Sequence, residues 1–179
     1  MEGPSRILAL DLSSRTGWAL WSPGAEPEYG SEHFSRTGAD VGAFLAEFDA
    51  WLAGAFDQWG PDLVVYEQPI LASMTNITTL RKLYGLAGVT EMHCHQRDPR
   101  VACREVPIQK WRKHFIGRGS GFKKAGKDPK AECIRVCRER RFEPQDDNAA
   151  DALGILDYTA DLLGLPKDWP DMGLFGSAA

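Results

Sequence analysis

Three places in this chain put carboxylates where apolar side chains would be expected. The run ILALD closes on Asp11 and the run LVVYE closes on Glu67, so each acid ends a buried strand pattern and is partly desolvated. In QDDNAADALG, residues 145–154, Asp146, Asp147 and Asp151 surround Asn148 at the opening of a helical pattern. Asp151 continues the stripe Ile155, Tyr158, Leu162 at helical spacing, which turns its side chain toward the protein. Asn148 and Asp147, three and four residues earlier, can share that face; Asp146, five earlier, cannot and is a natural N-cap. Acids in a helix's first turn are ordinarily caps and dipole partners. Asp151 tips the balance, because an acid on an apolar stripe, matched by two strand-end acids, is costly as decoration. Ionised carboxylates gathered at low effective dielectric repel strongly unless cations lie between them. All-oxygen ligands of this kind favour Mg²⁺ or Mn²⁺ over Zn²⁺. The candidate set is Asp11, Glu67, Asp151 and one of Asp147 or Asn148.

The elements that must position these groups can be read along the chain. RILALDL, GWALW and a segment near EYGSEHF read as a three-stranded meander, separated by the turn-rich SSRT and SPGAEP. Residues 41–58 place Phe44, Leu45, Phe48, Trp51, Leu52 and Phe56 at helical spacing, and Gly60-Pro61 stops that helix before the strand DLVVYE. MTNITTLRKLYGLAGVTEM reads as a second helix, VACREVP as a strand, and IQKWRKHF as a short helix. DPKAECIRVCRE is a helix capped by Asp128 with Pro129 in its first turn, and the last helix starts near Asp146. This order predicts an α/β fold, a mixed sheet with helices on its faces. A right-handed crossover would lay the first and fourth strands parallel and adjacent, so that Asp11 and Glu67 meet at one sheet edge. Residues 1–164 are expected to form one domain, and residues 165–179, rich in proline and glycine, a flexible tail.

Composition narrows the partners. The chain has 179 residues, 43% of them hydrophobic, enough for a real core. It has no apolar run of bilayer length and no signal-peptide layout at its start, and Cys94, Cys103, Cys133 and Cys137 form no CxxC pair; a cytoplasmic protein with free thiols and no membrane association is expected. The net charge of −4 hides an asymmetry: residues 97–141 carry 15 Lys+Arg against 5 Asp+Glu, a balance of +10 that leaves −14 for the rest. A basic third in an acidic chain suggests a phosphate-binding surface, though a solvated charged face has the same composition. GRGSGFKKAGKDPK, residues 117–130, sets Arg118, Lys123, Lys124, Lys127 and Lys130 among glycines, with Phe122 available either to stack on an unpaired base or to anchor the loop. GFKKAGKD mimics a phosphate-binding P-loop, but it lacks the preceding strand and the following Ser or Thr. HCH, residues 93–95, is better explained as a helix terminus than as a metal site.

ALDLSSRTGWAL, VVYEQPI and DNAADALGIL, in this order and spacing, resemble the RuvC family of Holliday junction resolvases within the ribonuclease H-like superfamily, over about residues 6–160. The resemblance implies a ribonuclease H-like five-stranded sheet flanked by helices, a homodimer, and a two-metal endonuclease acting in DNA recombination and repair. Such an enzyme nicks branched DNA in pairs, leaving 5′-phosphate and 3′-hydroxyl ends. It also implies that Asp11, Glu67 and Asp151 bind metal, two Mg²⁺ per site with Mn²⁺ able to substitute. Asp11 would bridge the two ions, Glu67 would hold the first, and Asp151 with Asp147 the second. The family pattern places an acid or histidine where this chain has Asn148, so Asp147 is taken as the fourth catalytic group and Asn148 as the alternative ligand. Lys130 matches a family lysine at the start of its helix. Two other readings stay open: a relative acting on RNA or non-junction DNA, and a non-catalytic junction-binding protein. The helix from about Asn76 to Met92, with Leu80, Leu83, Leu86, Gly85 and Gly88, is the candidate dimer face, unless those leucines simply cover the sheet. DMGLF, residues 171–175, resembles a sliding-clamp docking peptide.

Overall fold

The computed structural model describes residues 4–70, 76–167 and 169. Five strands, β1 (Ile7–Asp11), β2 (Arg15–Trp21), β3 (Glu28–His33), β4 (Leu63–Glu67) and β5 (Ala102–Val106), form a mixed sheet in the order β3-β2-β1-β4-β5. The meander β1-β2-β3 is antiparallel, whereas β4 lies parallel to both β1 and β5. Five α-helices flank the sheet: α1 (Val41–Trp59), α2 (Ile77–Gln96), α3 (Ile108–Ile116), α4 (Pro129–Glu139) and α5 (Asp147–Leu162). Among the described residues no helix is long and apolar enough to cross a membrane.

Strand alternation sorts the core into two layers. Leu8 and Leu10 of β1 face α1 and α2, where Phe44, Phe48, Leu52, Phe56 and Leu86 are buried. Ile7 and Ala9 face the other way, toward α3, α4 and α5. The second layer is built for close approach: Ala9, Ala19, Ala150 and Ala152 are fully buried there, and α5 is buried continuously from Ala149 to Asp157. The one-sided stripe expected of α5 is therefore too narrow a description. Asp157 is also buried, while Leu162, at the end of the expected stripe, is 65% exposed. A helix covered by a sheet on one side and by α3 and α4 on the other has little solvent face left over most of its length.

Caps and turns follow the local chemistry. Asp40, Asn76, Asp128 and Asp146 each cap a helix by accepting from a backbone N–H in its first turn. Gly60 ends α1 in the left-handed region, the position glycine favours. HCH falls in the last turn of α2, as expected.

Two segments pack more closely than composition alone suggests. The tail expected to begin at residue 165 packs at its start: Leu165 lies against the α5 layer, and Trp169 is buried beside Trp21 and Phe142. Aromatic burial here outweighs the proline and glycine of the surrounding segment. On α2, Leu86 covers the sheet and Gly85 lies so close to Leu45 of α1 that an added Cβ would meet its side chain at 2.6 Å. Both therefore face inward, and the exposed apolar groups of α2 are Ile77, Tyr84 and Met92.

Candidate active site

Register brings the first two acids together. Leu10 of β1 pairs with Tyr66 of β4, so Asp11 and Glu67 emerge side by side at the C-terminal ends of two parallel strands. Asp11 is also paired with Gly17 across β2. Gly17 decides how near the third acid can come: a Cβ there would lie 1.9 Å from the backbone carbonyl oxygen of Asn148. The absent side chain lets the first turn of α5 rest on the sheet beside Asp11, which carries Asp147 and Asp151 into the same neighbourhood. A second close approach fixes Glu67. Gly154 of α5 leaves room for the Trp111 ring, whose Nε1 donates to Glu67 Oε2 at 2.8 Å.

The electrostatics of the cluster follow from burial and from one another. Burial is the main force raising the Asp11 carboxyl well above its usual range, helped by the charges of Asp151, Glu67 and Asp147 and opposed by Arg112. Burial likewise lifts Glu67 to about 7, against the pull of the Trp111 hydrogen bond and Arg112. Asp151, 6% exposed, is raised by burial and by Asp147, with Arg112 and the Cys133 thiol acting the other way. Arg112 Nη2 donates to Asp151 Oδ2 at 3.2 Å, and Lys130 forms an ion pair with Asp147. Two cations thus face four carboxylates, and the excess is negative. Asp151 Oδ1 is buried without a hydrogen-bond partner that meets ordinary geometry among the described residues. An oxygen-only donor set with surplus negative charge and an unpartnered buried oxygen fits a divalent cation.

The fourth position resolves into two different environments. Asp147 contributes its charge to Asp11 and Asp151, whereas the close contact of Asn148 is made by its backbone against Gly17. Asp146 is the N-cap, accepting from Ala149 N at 2.9 Å, Ser31 Oγ at 2.6 Å and, more distantly, Arg15 Nη1 at 3.4 Å. These bonds outweigh burial and hold its carboxyl below the usual value.

The basic loop joins α3 to α4; Arg118, Lys123, Lys124 and Lys127 are exposed on it, and Lys130 is exposed in the first turn of α4. Phe122 is buried, so as a base-stacking group it is a correction: the ring packs inward, and its backbone carbonyl accepts from Ala125 and Lys127 to close a 3-10 turn over Lys123–Ala125. Burying the ring removes apolar area from water in a segment otherwise poor in it.

Sequence reasoning missed Arg112 and Trp111. The signal was present in IQKWRKHF: Trp111 and Phe115 share one apolar helix face and place Arg112 on its flank, where a charge would be half-buried. It also missed a second acidic group, His114, Asp157 and Asp161, whose ligand atoms all lie within 4.8 Å of one another. Cations of the chain already fill that group: Arg140 lies 2.5 Å from Asp157, and Lys167 reaches both aspartates.

No protein-family profile matches the chain. Part of it is 33% identical over 104 residues to the crossover junction endodeoxyribonuclease RuvC of Thermomicrobium roseum, a match spanning 58% of this chain and 59% of that protein. Thermus thermophilus RuvC in complex with Holliday junction substrate is similar with a TM-score of 0.62 and 14% identity, over 87% of this chain and 93% of that one. Fowlpox virus resolvase, in complex with its substrate Holliday junction DNA, gives a TM-score of 0.56 and 12% identity, over 88% and 99%. These likenesses are of fold: a mixed five-stranded sheet flanked by helices.

Proposed function

We propose that this RuvC-like chain is a structure-selective DNA endonuclease that resolves Holliday junctions or other branched DNA, leaving 5′-phosphate and 3′-hydroxyl ends. The observation that carries the reading is the convergence of Asp11, Glu67 and Asp151, from three separate elements, at one sheet edge with raised carboxyl pKa values. In this reading Asp11, Glu67, Asp151 and Asp147 hold divalent metal, two Mg²⁺ per site, with Mn²⁺ able to substitute and Asn148 as the alternative to Asp147. Bound there, such ions supply Lewis acidity at the scissile phosphate and lower the pKa of a water nucleophile. The chain's own residues do the positioning. Trp111 fixes the Glu67 carboxylate through its indole N–H, and Arg112 orients Asp151 while offsetting one negative charge. Lys130, exposed and beside Asp147, neutralises phosphate charge next to the cluster, and Arg118, Lys123, Lys124 and Lys127 hold the DNA backbone on the same flank.

Paired nicks on a symmetric junction call for two sites, which supports a homodimer; Ile77, Tyr84 and Met92 give α2 the exposed apolar groups such an interface uses. The four free thiols suit the cytoplasm. Clamp docking through residues 171–175 is a separate proposal that lies outside the described residues. The test is cleavage of a labelled four-way junction beside linear duplex and an RNA–DNA hybrid, in Mg²⁺ or Mn²⁺. Paired symmetric nicks on the junction, abolished by Asp11→Asn and Asp147→Asn but not by Asn148→Ala, support the reading. Tight junction binding without cleavage in either metal overturns it in favour of a binding protein, and preferential hybrid cutting moves it to another activity of the superfamily.

A further inference from the structure

A cavity of about 440 Å³ lies at the same sheet edge, on the opposite flank from the basic loop. It is lined by Arg15, His33, Arg36 and Lys82 together with the hydroxyl-bearing Ser14 and Ser35, and no carboxylate lines it. Arg15 and His33 are register partners, two residues beyond the Asp11–Gly17 pair and so roughly 7 Å further along the strand. Lys82 reaches in from α2, half-buried, its ammonium 4.7 Å from the centre of the Phe44 ring and donating to Thr37 Oγ1 at 3.1 Å. Those partners are neutral, so its charge stays unbalanced. Among the described residues no carboxylate lies within 4 Å of the charged ends of Lys82 or Arg36. Arg15 has one acidic contact, Asp146 at 3.4 Å, with half of its side chain still exposed. Glu47 accepts from both the backbone N–H and the hydroxyl of Ser35, which pins the segment carrying Arg36.

Three permanent cations around one cavity repel one another unless an anion sits among them. A phosphodiester matches that demand: it carries one negative charge and several acceptor oxygens, suited to guanidinium and ammonium donors. The placement selects which phosphate. The cavity lies on the α1/α2 face, whereas α3, α4 and their connecting loop lie on the α5 face, with the carboxylate cluster between them. We propose that this cavity binds a backbone phosphate of the substrate strand on the far side of the cleaved bond, so that the strand is gripped on both flanks of the metal cluster. The proposal rests on the nuclease reading above for the identity of the strand, and on the cavity alone for the anion.

The test is binding of the full-length chain to a labelled four-way junction and to a plain duplex, in metal-free buffer, across salt from about 50 mM to about 200 mM. Arg36→Gln, Lys82→Gln and their combination are compared with Arg81→Gln, which removes one exposed charge of α2 outside the cavity. The double variant is expected to bind at least about tenfold more weakly than wild type and to lower the slope of log K against log salt by about 1 to 2. Arg81→Gln should change affinity less than about threefold and should keep its cleavage rate at saturating junction. A double variant indistinguishable from Arg81→Gln, with wild type cleaving junctions, overturns the cavity and leaves the nuclease reading intact. Wild type that binds DNA without cutting it removes the nuclease reading, yet the slope difference still decides the cavity. Wild type that binds no DNA overturns both.

Discussion

Asp151 and Asp157 stand six residues apart on α5, both almost fully buried, and their carboxyls are shifted in opposite directions. Around Asp157 burial works against the ion, but a His114 hydrogen bond at 2.9 Å, Arg140, the Trp169 indole at 2.8 Å and Lys167 overcome it and hold the carboxyl well below its ordinary value. Around Asp151 the same burial meets one guanidinium and the further charge of Asp147, and it prevails. The difference is not depth but balance. A buried carboxylate with enough cations and donors is a structural node, one that ties α5 to the end of α4 and to Trp169. A buried carboxylate left in surplus is poised for a cation from outside.

The sharpest way to break the comparison is to neutralise each acid in turn and follow activity. If the proposed nuclease reading holds, Asp11→Asn should lower junction cleavage by about 10³-fold or more, because the site would lose a metal ligand and one charge, worth several kcal/mol at the transition state. Asp157→Asn should leave the rate per folded molecule within about threefold, read as kcat at saturating substrate.

Stability should show the reverse order. Removing the Asp157 charge leaves buried Arg140 without its counterion, an expected loss of about 3–5 kcal/mol in urea unfolding, whereas Asp11→Asn in metal-free buffer should be neutral or stabilising. A large loss for Asp11→Asn together with none for Asp157→Asn would reverse the roles assigned to the two acids.

The pH dependence follows from the two shifts. Glu67 binds its proton more tightly folded than unfolded, so its contribution is largest in acid and declines as pH rises from the ordinary value of 4.5 through about 7. Asp157 binds its proton less tightly folded, so its contribution is complete above its ordinary 3.8 and is lost as pH falls below it. In metal-free thermal melts the wild type should therefore lose stability between about pH 5 and pH 7, by at most about 3 kcal/mol from Glu67. Glu67→Gln should flatten that decline and leave the acid limb unchanged.

The smallest effect is metal linkage. Mg²⁺ at about ten times its Kd should stabilise the wild type by about 1.4 kcal/mol, a rise of a few degrees in Tm, and should do little for Asp11→Asn. Equal shifts in both proteins would place the ion elsewhere.

Much of this was legible before the fold was known, for a local reason. Alternation of period two in ILALD and LVVYE, and of period 3.6 in the helices, is written in neighbouring residues. The strand-end acids and the inward-facing Asp151 followed from it, as did Asp146 as the cap. Arg112 and Trp111 were obscured because a basic helix in isolation reads as solvated; only docking of α3 on α5, with Gly154 admitting the indole, turns them toward the acids. Phe122 has the same composition around it whether it faces DNA or the core, and Trp169 sits among residues that argue against order.

The sequence by itself determined the α/β order of elements, the parallel pairing of β1 with β4 through a crossover, and the identities of the three converging acids. Tertiary structure alone decided the balance of charge around each acid, because Arg112, Arg140, Lys130 and Lys167 meet their partners only after the chain has folded. The cationic cavity belongs to the same class: Arg15, His33, Arg36 and Lys82 lie outside the basic third of the chain, in its acidic remainder, and become one site only when β2, β3 and α2 meet. Periodicity is a property of neighbours, whereas neutralisation falls off with distance in space and depends on which residues the fold brings within a few ångströms.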